Sequence, residues 1–325
     1  MVTSYTDVHV LNVGRGSCTV VESPSGRATM IDINDGGQLR PDEFEAIQQR
    51  SFSISTIVEA AVRKELQLLD DPIEWFLEHV GTVMHRFILS HPDMDHMSGI
   101  RRLLSQQREV EVFNFWDYDH TRTRTEADYP NNGAGWLDWQ WYYGFHVGAQ
   151  WDGVTWPKRI QPLRAATGNY WTEDSIEILG PTTSLISDCN KCDEYNDASY
   201  VIKVNHGLTS RLLAPGDVES KAWNDMIEAG VLGKINVLIA SHHGRNSGFH
   251  EAAMDIMKPE VVIISSDVIP AKDDAIKEYK KRATVFSTRE LGTLTVRMHD
   301  GGLVQIIDRN GFERYSMSDS FPRTA

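Results

Sequence analysis

Short apolar runs punctuated by glycine, proline and asparagine dominate this chain, and their periods assign most of its elements. Residues 7–13 (DVHVLNV) and 17–22 (SCTVVE) are rich in β-branched side chains and flank Gly14-Arg15-Gly16, which predicts two strands around a tight turn. Pro24-Ser25-Gly26 turns the chain into a third strand over 28–33, closed by the loop signal Asn34-Asp35-Gly36-Gly37. From Pro41 to His79 the pattern is helical, with Ile54, Ile57, Val58, Ala61 and Val62 at helical spacing. Phe87-Ile88-Leu89 reads as the end of a buried strand. A helix then starts near Asp95 or His96 and carries Ile100, Leu103 and Leu104.

Strands are predicted again over 109–116, 175–179, 199–204 and 209–214, the last two joined by the turn Asn205-His206-Gly207-Leu208. Pairing across that turn sets Asp197 opposite Asp217 at the open end of the hairpin. It leaves His206 at the closed end, roughly 30 Å away at about 3.3 Å per residue. Beyond it, helices over 221–229, 249–257 and 272–282 alternate with strands over 236–240, 261–265, 284–287, 293–298 and 303–307. Two strand-rich halves, each followed by helices, predict an α/β protein with two sheets face to face and helices outside, an αββα sandwich.

Composition adjusts this picture only in places. The 325 residues are 41% hydrophobic and 24% charged, the balance of a globular chain, and no linker composition divides it. The expectation is one domain over 1–325, with a helical insertion at about 41–80 and an aromatic-rich one at about 116–171. The second insertion holds seven of the nine tryptophans, so it is either a satellite core packed on itself, the favoured reading, or a face that stacks nucleobases. A net charge of −14 argues against an extended basic surface for duplex DNA. With no signal-peptide pattern, no apolar run of membrane-spanning length and only three cysteines, the expected location is cytoplasmic, with no membrane partner. Cys189 and Cys192 form a lone C-x-x-C, read as free thiols on a loop.

The chemistry concentrates in three loops that each follow an apolar strand: SHPDMDH (90–96), APGDVE (214–219) and ASHHGRNSG (240–248). The first places His91, Asp93, Asp95 and His96 within six residues. Two imidazoles and two carboxylates leaving one strand are metal-ligand side chains aimed at one point. Loops at neighbouring strand ends are where a rigid sheet can add further ligands. Asp217 and His242 or His243 are the candidates, with Asp197 joining them by the hairpin pairing.

The H-x-D-x-D-H of 91–96, the P-G-D of 215–217 and the H-H-G of 242–244 resemble the metallo-β-lactamase superfamily, most of all the metallohydrolase domain of ComEC-type competence proteins. Supporting matches are Asn12 to Ser17, Ile31-Asp32, Asn196 to Ser199 and Thr288 to Thr293. The resemblance implies the αββα fold and a site for one or two metals. His91 and Asp93 would hold one metal, Asp95, His96 and His242 the other, and Asp217 would bridge them. Asp197 stands in for a further histidine that the family has and this chain lacks. Asp93 replaces the more common histidine and makes the donor set harder, which favours Mn2+ over Zn2+ as the divalent ion.

The activity so implied is metal-dependent hydrolysis of a phosphodiester, in nucleic acid or a nucleotide, by hydroxide generated at the metals. Asp95 and His243 are the expected catalytic pair, and Arg245, Asn246 and Ser247 would hold the phosphate oxygens. Two alternatives stand beside it: the same site acting on a lactone, thioester or phosphocholine ester, and a non-catalytic metal-binding interaction module. The competence proteins carry their domain beside a membrane channel that this chain lacks, so a role in DNA uptake is not expected.

Overall fold

The computed structural model describes residues 5–14, 16–35, 69–129, 133–265 and 274–318. Most of the insertion expected at 41–80 lies outside the described residues.

The first sheet gathers β1 (Tyr5–Val10), β2 (Thr19–Glu22), β3 (Ala28–Ile31), β4 (Val83–Ile88), β5 (Glu111–Trp116) and β6 (Lys158–Ile160). The second is built from β7 (Ile176–Gly180), β8 (Val201–His206), β9 (Ser210–Ala214), β10 (Val237–Ile239), β11 (Val261–Ile264) and β12 (Thr284–Ser287). The chain then returns to the first sheet with β13 (Leu294–His299), β14 (Val304–Asp308) and β15 (Glu313–Met317). The strand orders are β15-β14-β13-β1-β2-β3-β4-β5-β6 and β12-β11-β10-β9-β8-β7. Both sheets are mixed: β3, β4, β5 and β6 run parallel, as do β9, β10, β11 and β12.

Strand side chains alternate between faces, and the buried residues sort accordingly. Ile88 and Trp116 of the first sheet meet Ile202, Leu212, Ile239 and Ile263 of the second in an interior core. Phe87 and Phe115, one residue out of phase, face outward onto α1 (Pro72–His79), α3 (Ile100–Leu104, which follows the short α2, Met94–Met97) and α4 (Gly133–His146); α1, α3 and α4 bring Phe76, Leu103 and Tyr142. Leu213, Leu238 and Val262 face α7 (Ser220–Glu228) and α8 (Glu251–Met257) across Trp223 and Met254. Each fully buried side chain of this kind contributes about 1.5–3 kcal/mol. The predicted αββα sandwich is therefore present. Among the described residues no helix is long and apolar enough to cross a membrane.

Local chemistry explains the ends. Asp71 accepts from the backbone N–H of Ile73 and Glu74, and Pro72 opens α1, which stops at the predicted His79. Cys189 and Cys192 lie on a helix, α6 (Thr183–Cys192, which follows the short α5, Asn169–Glu173), and not on a loop; both are free thiols. The aromatic insertion does not pack on itself as a separate satellite core: Trp139, Tyr142 and Phe145 join Phe87, Leu103 and Phe115 in the outer layer, with Trp136, Trp141 and Trp156 against them.

The hairpin register needs correction. The turn lies further along the chain than expected: β8 runs on to His206 and β9 starts at Ser210, so that His206 pairs with Ser210 and Ile202 with Ala214. This moves the pairing by two residues and puts Ser199, not Asp197, beside Asp217: the Ser199 hydroxyl accepts from the Asp217 N–H at 3.2 Å. His206 stays remote, bound to Thr6 and Asp300.

Asp138 of α4 accepts from the N–H groups of Gly99 and Arg101 at the start of α3. Burial pushes its carboxyl up to about 6, against the lowering pull of those two donors. A carboxyl raised in the fold favours the protonated native state, so this group adds stability below about pH 4 and loses it as pH rises to about 6. The shift corresponds to about 3 kcal/mol. Asp138→Asn should therefore exceed the parent in stability by up to that amount at pH 8, with the difference gone at pH 4. Urea unfolding at the two pH values checks this, and an equal difference at both would refute it.

Candidate metal centre

The three ligand-bearing loops converge because each leaves the carboxyl end of a strand at the same edge of the sandwich, where parallel strands commonly present their ligands. β4 delivers His91 to His96, β9 delivers Asp217, and β10 delivers His242 and His243. Ligand atoms of His91, His96 and Asp217 lie within 4.8 Å of one another, and Asp95, His96 and His243 form a second such group. The Asp217 Oδ2 is 3.2 Å from His96 Nε2, 3.4 Å from His243 Nε2 and 3.8 Å from His242 Nε2. Asp93 Oδ2 is 3.6 Å from His91 Nε2, and Asp95 Oδ2 is 3.7 Å from His243 Nε2.

The imidazoles are held from behind. Asp32, left-handed at φ 60° at the end of β3, accepts from the Ser90 N–H at 2.6 Å and the Ser90 hydroxyl at 2.7 Å. It also accepts from His96 Nδ1 at 2.7 Å. Having donated its only proton to Asp32, the Ser90 hydroxyl accepts from His91 Nδ1 at 3.0 Å. Both rings thus carry their proton on Nδ1 and turn Nε2 toward the centre, the usual arrangement behind metal-binding histidines. The Nε2 atoms of His91, His96 and His243 are buried and have no hydrogen-bond partner among the described residues. Such orphaned acceptors are costly unless something binds them, so these residues fit a divalent cation.

The electrostatics agree. Burial opposes charge on His96, yet Asp217 and Asp32 hold its pKa well above the ordinary value. Burial would raise the Asp217 carboxyl, but His96 and His243 hold it well below. A field that keeps a proton on a fully buried imidazole is one that attracts a cation in its place.

The HH turn is locally strained: His242 and His243 have φ of 51° and 54°, which for such side chains is rare and typical of functional turns. The turn parts the two rings. His243 reaches the Asp95 and Asp217 carboxylates, whereas His242 gives its Nδ1 to Glu219 at 3.1 Å and Ser247 at 2.8 Å. Ser247 is therefore committed to a histidine. Arg245 is half-buried and Asn246 exposed, and Arg245 makes no ion pair among the described residues.

Asp197 is not brought into the cluster. Its Oδ1 accepts from Glu219 N–H at 2.9 Å and Ala222 N–H at 3.0 Å, where it caps the start of α7. The register shift is the reason. Sequence patterns assign no role to four residues that act here: Asp32, Ser199, Glu219 and Arg122. Asp32, Ser199 and Glu219 each stand inside a stretch that the sequence singles out, though without a role, whereas nothing local marks Arg122.

Close packing fixes the Asp95 backbone. Ser17 N–H donates to the Asp95 carbonyl at 3.0 Å, and a Cβ on Gly16 would lie 2.4 Å from that oxygen and 2.6 Å from Asn34. Gly16→Ala should push Asp95 aside and weaken metal binding by about 10–100-fold, the range for lost support behind a ligand. Competition with a chelator dye reads this; unchanged affinity would contradict it.

No family model matches the chain. Over 191 residues, 59% of its length, it is 30% identical to Recombination protein 2 of Haemophilus influenzae, of which it spans 19%. The metallo-beta-lactamase fold protein YhfI from Bacillus subtilis aligns in structure over 86% of this chain and 96% of its own, with 10% identity and a TM-score of 0.43.

Proposed function

We propose that this chain is a metal-dependent hydrolase of phosphodiesters, acting on nucleic acid or a nucleotide. The observation that carries the reading is the set of three buried imidazole nitrogens, without a hydrogen bond among the described residues, around the Asp217 carboxylate. His91, Asp93, Asp95, His96, Asp217 and His243 would hold one or two divalent ions, with His242 alongside. A metal bound there supplies a Lewis acid and lowers the pKa of water enough for hydroxide to exist near neutral pH.

The protein's own contribution is orientation. Asp32 and Ser90 fix the tautomers of His96 and His91, and Glu219 fixes His242. Asp95 and His243, the expected catalytic pair, stand 3.7 Å apart, and Arg245 and Asn246, on the same loop as His243, would hold the phosphate oxygens. Three carboxylates among six donors form an oxygen-rich set, which supports Mn2+ beside Zn2+. The similarity to a recombination protein supports nucleic acid as the substrate class.

The experiment compares turnover of a bis-aryl phosphodiester, a lactone and a thioester by purified protein loaded with Mn2+ or Zn2+, with Asp95→Ala and His96→Ala as controls. Metal-dependent phosphodiester cleavage lost in both variants is expected. Turnover of the lactone or thioester alone would overturn the substrate class, and metal retained by both variants would overturn the site.

A further inference from the structure

We infer that Arg122 is a positioning residue for this centre, holding one oxygen of Asp93 so that the other is presented beside His91. The inference rests on the metal-binding reading above. Arg122 is 5% exposed and comes from the segment after β5, remote in sequence from every ligand loop. Its Nη1 binds the Asp93 Oδ1 and also donates to the Pro92 carbonyl at 2.8 Å. The opposite oxygen, Oδ2, is the one 3.6 Å from His91 Nε2. Asp93 is thereby divided: one oxygen bound to a guanidinium and one left for the centre.

The guanidinium is itself held on every side. Nε donates to the Asp193 carboxylate at 3.2 Å and Nη2 to the Asp193 carbonyl at 2.8 Å, at the C-terminal end of α6. Its plane lies over the Tyr195 ring, 4.5 Å from the centroid. The Arg122 backbone N–H donates to His120 Nδ1, and His120 is bonded to Tyr142 and stacked on His146 at 4.1 Å, within the aromatic insertion. The insertion therefore touches the centre through Arg122. A planar fork locked at both ends fixes a carboxylate far better than a flexible ammonium does. Asp93 needs such support because its side chain is 34% exposed, while the neighbouring His91 and His96 are encased.

This predicts that Arg122 governs the ion held by His91 and Asp93 and not the one held by Asp95, His96 and His243. The full chain, stripped by chelator, is titrated with Mn2+ or Zn2+ against a competing chelator, and the melting temperature of the metal-free form is recorded. Of the one or two ions proposed above the inference takes two, so two equivalents are expected for the parent, and a single equivalent would overturn it. In Arg122→Ala one equivalent should weaken by about 10–100-fold while the other moves by less than about twofold. Arg122→Lys should recover part of that loss. Arg124→Ala, which removes a partner of Asp193 and leaves Asp93 untouched, should change neither equivalent.

If Arg122→Ala does not fold, Arg122→Lys against the parent carries the comparison, with selective weakening of one equivalent again expected. Uptake insensitive to both Arg122 substitutions overturns this inference alone. So does equal weakening of both equivalents together with a lower metal-free melting temperature, the mark of a purely structural role. No uptake by the parent overturns the metal reading and this inference together.

Discussion

Asp217→Asn is expected to strip the protein of stably held metal and, with it, of hydrolytic turnover. The substitution keeps the shape of the side chain and removes its charge. It does so where one oxygen stands 3.2 Å from His96, 3.4 Å from His243 and 3.8 Å from His242. Loss of a supporting residue behind a ligand lowers metal affinity by about 10–100-fold, and loss of the central ligand should exceed the top of that range. Metal content after gel filtration and phosphodiester turnover with added Mn2+ are the two readouts. Gly216, at φ 61° and packed against Ser199 and Ser90, keeps the loop in place in the variant, so a folded protein without metal is expected. A variant that retains a full complement of metal would remove Asp217 from the centre.

The ligand loops are legible in the sequence for a physical reason. His91 to His96 are contiguous, and each loop follows an apolar run that could only be a buried strand. Register is what the sequence conceals. Turn residues alone set the β8–β9 pairing two residues out of register, and that difference exchanges Asp197 for Ser199 beside Asp217. Helix α4 has no legible signature because its tryptophans and glycines give no one-sided apolar stripe, and β15 has none because its side chains are mostly exposed and show no alternation. The supporting groups are hidden for another reason. Asp32 and Arg122 act across 64 and 29 positions of sequence, and no local pattern encodes such a partnership.

Asp174→Ala is expected to destabilise the fold by about 3–5 kcal/mol, the cost of breaking a buried ion pair from one side. Arg86 lies at the middle of β4, between Thr29 of β3 and Asn114 of β5, and shares the inner face with Ile88. Its side chain is 1% exposed and that of Asp174 is fully buried; the two meet at 3.2 Å. Thr29 takes a second donor at 2.8 Å, and the guanidinium sits 4.9 Å over the Trp116 ring. Burial lowers the Arg86 pKa against the pull of Asp174, so the pair survives only because each charge satisfies the other. Asp174 also accepts from Arg27 Nε at 3.0 Å and the Ser25 hydroxyl at 2.6 Å. Removing the carboxylate alone leaves Arg86 charged and unmatched in the core. Removing both charges does not. The double variant Asp174→Ala, Arg86→Met should therefore regain more than half of the lost stability, since methionine fills much of the arginine stem's volume without a charge. Urea unfolding of the parent, the single and the double variants separates the two contributions. A double variant no more stable than Asp174→Ala would show that packing, and not the uncompensated guanidinium, sets the cost.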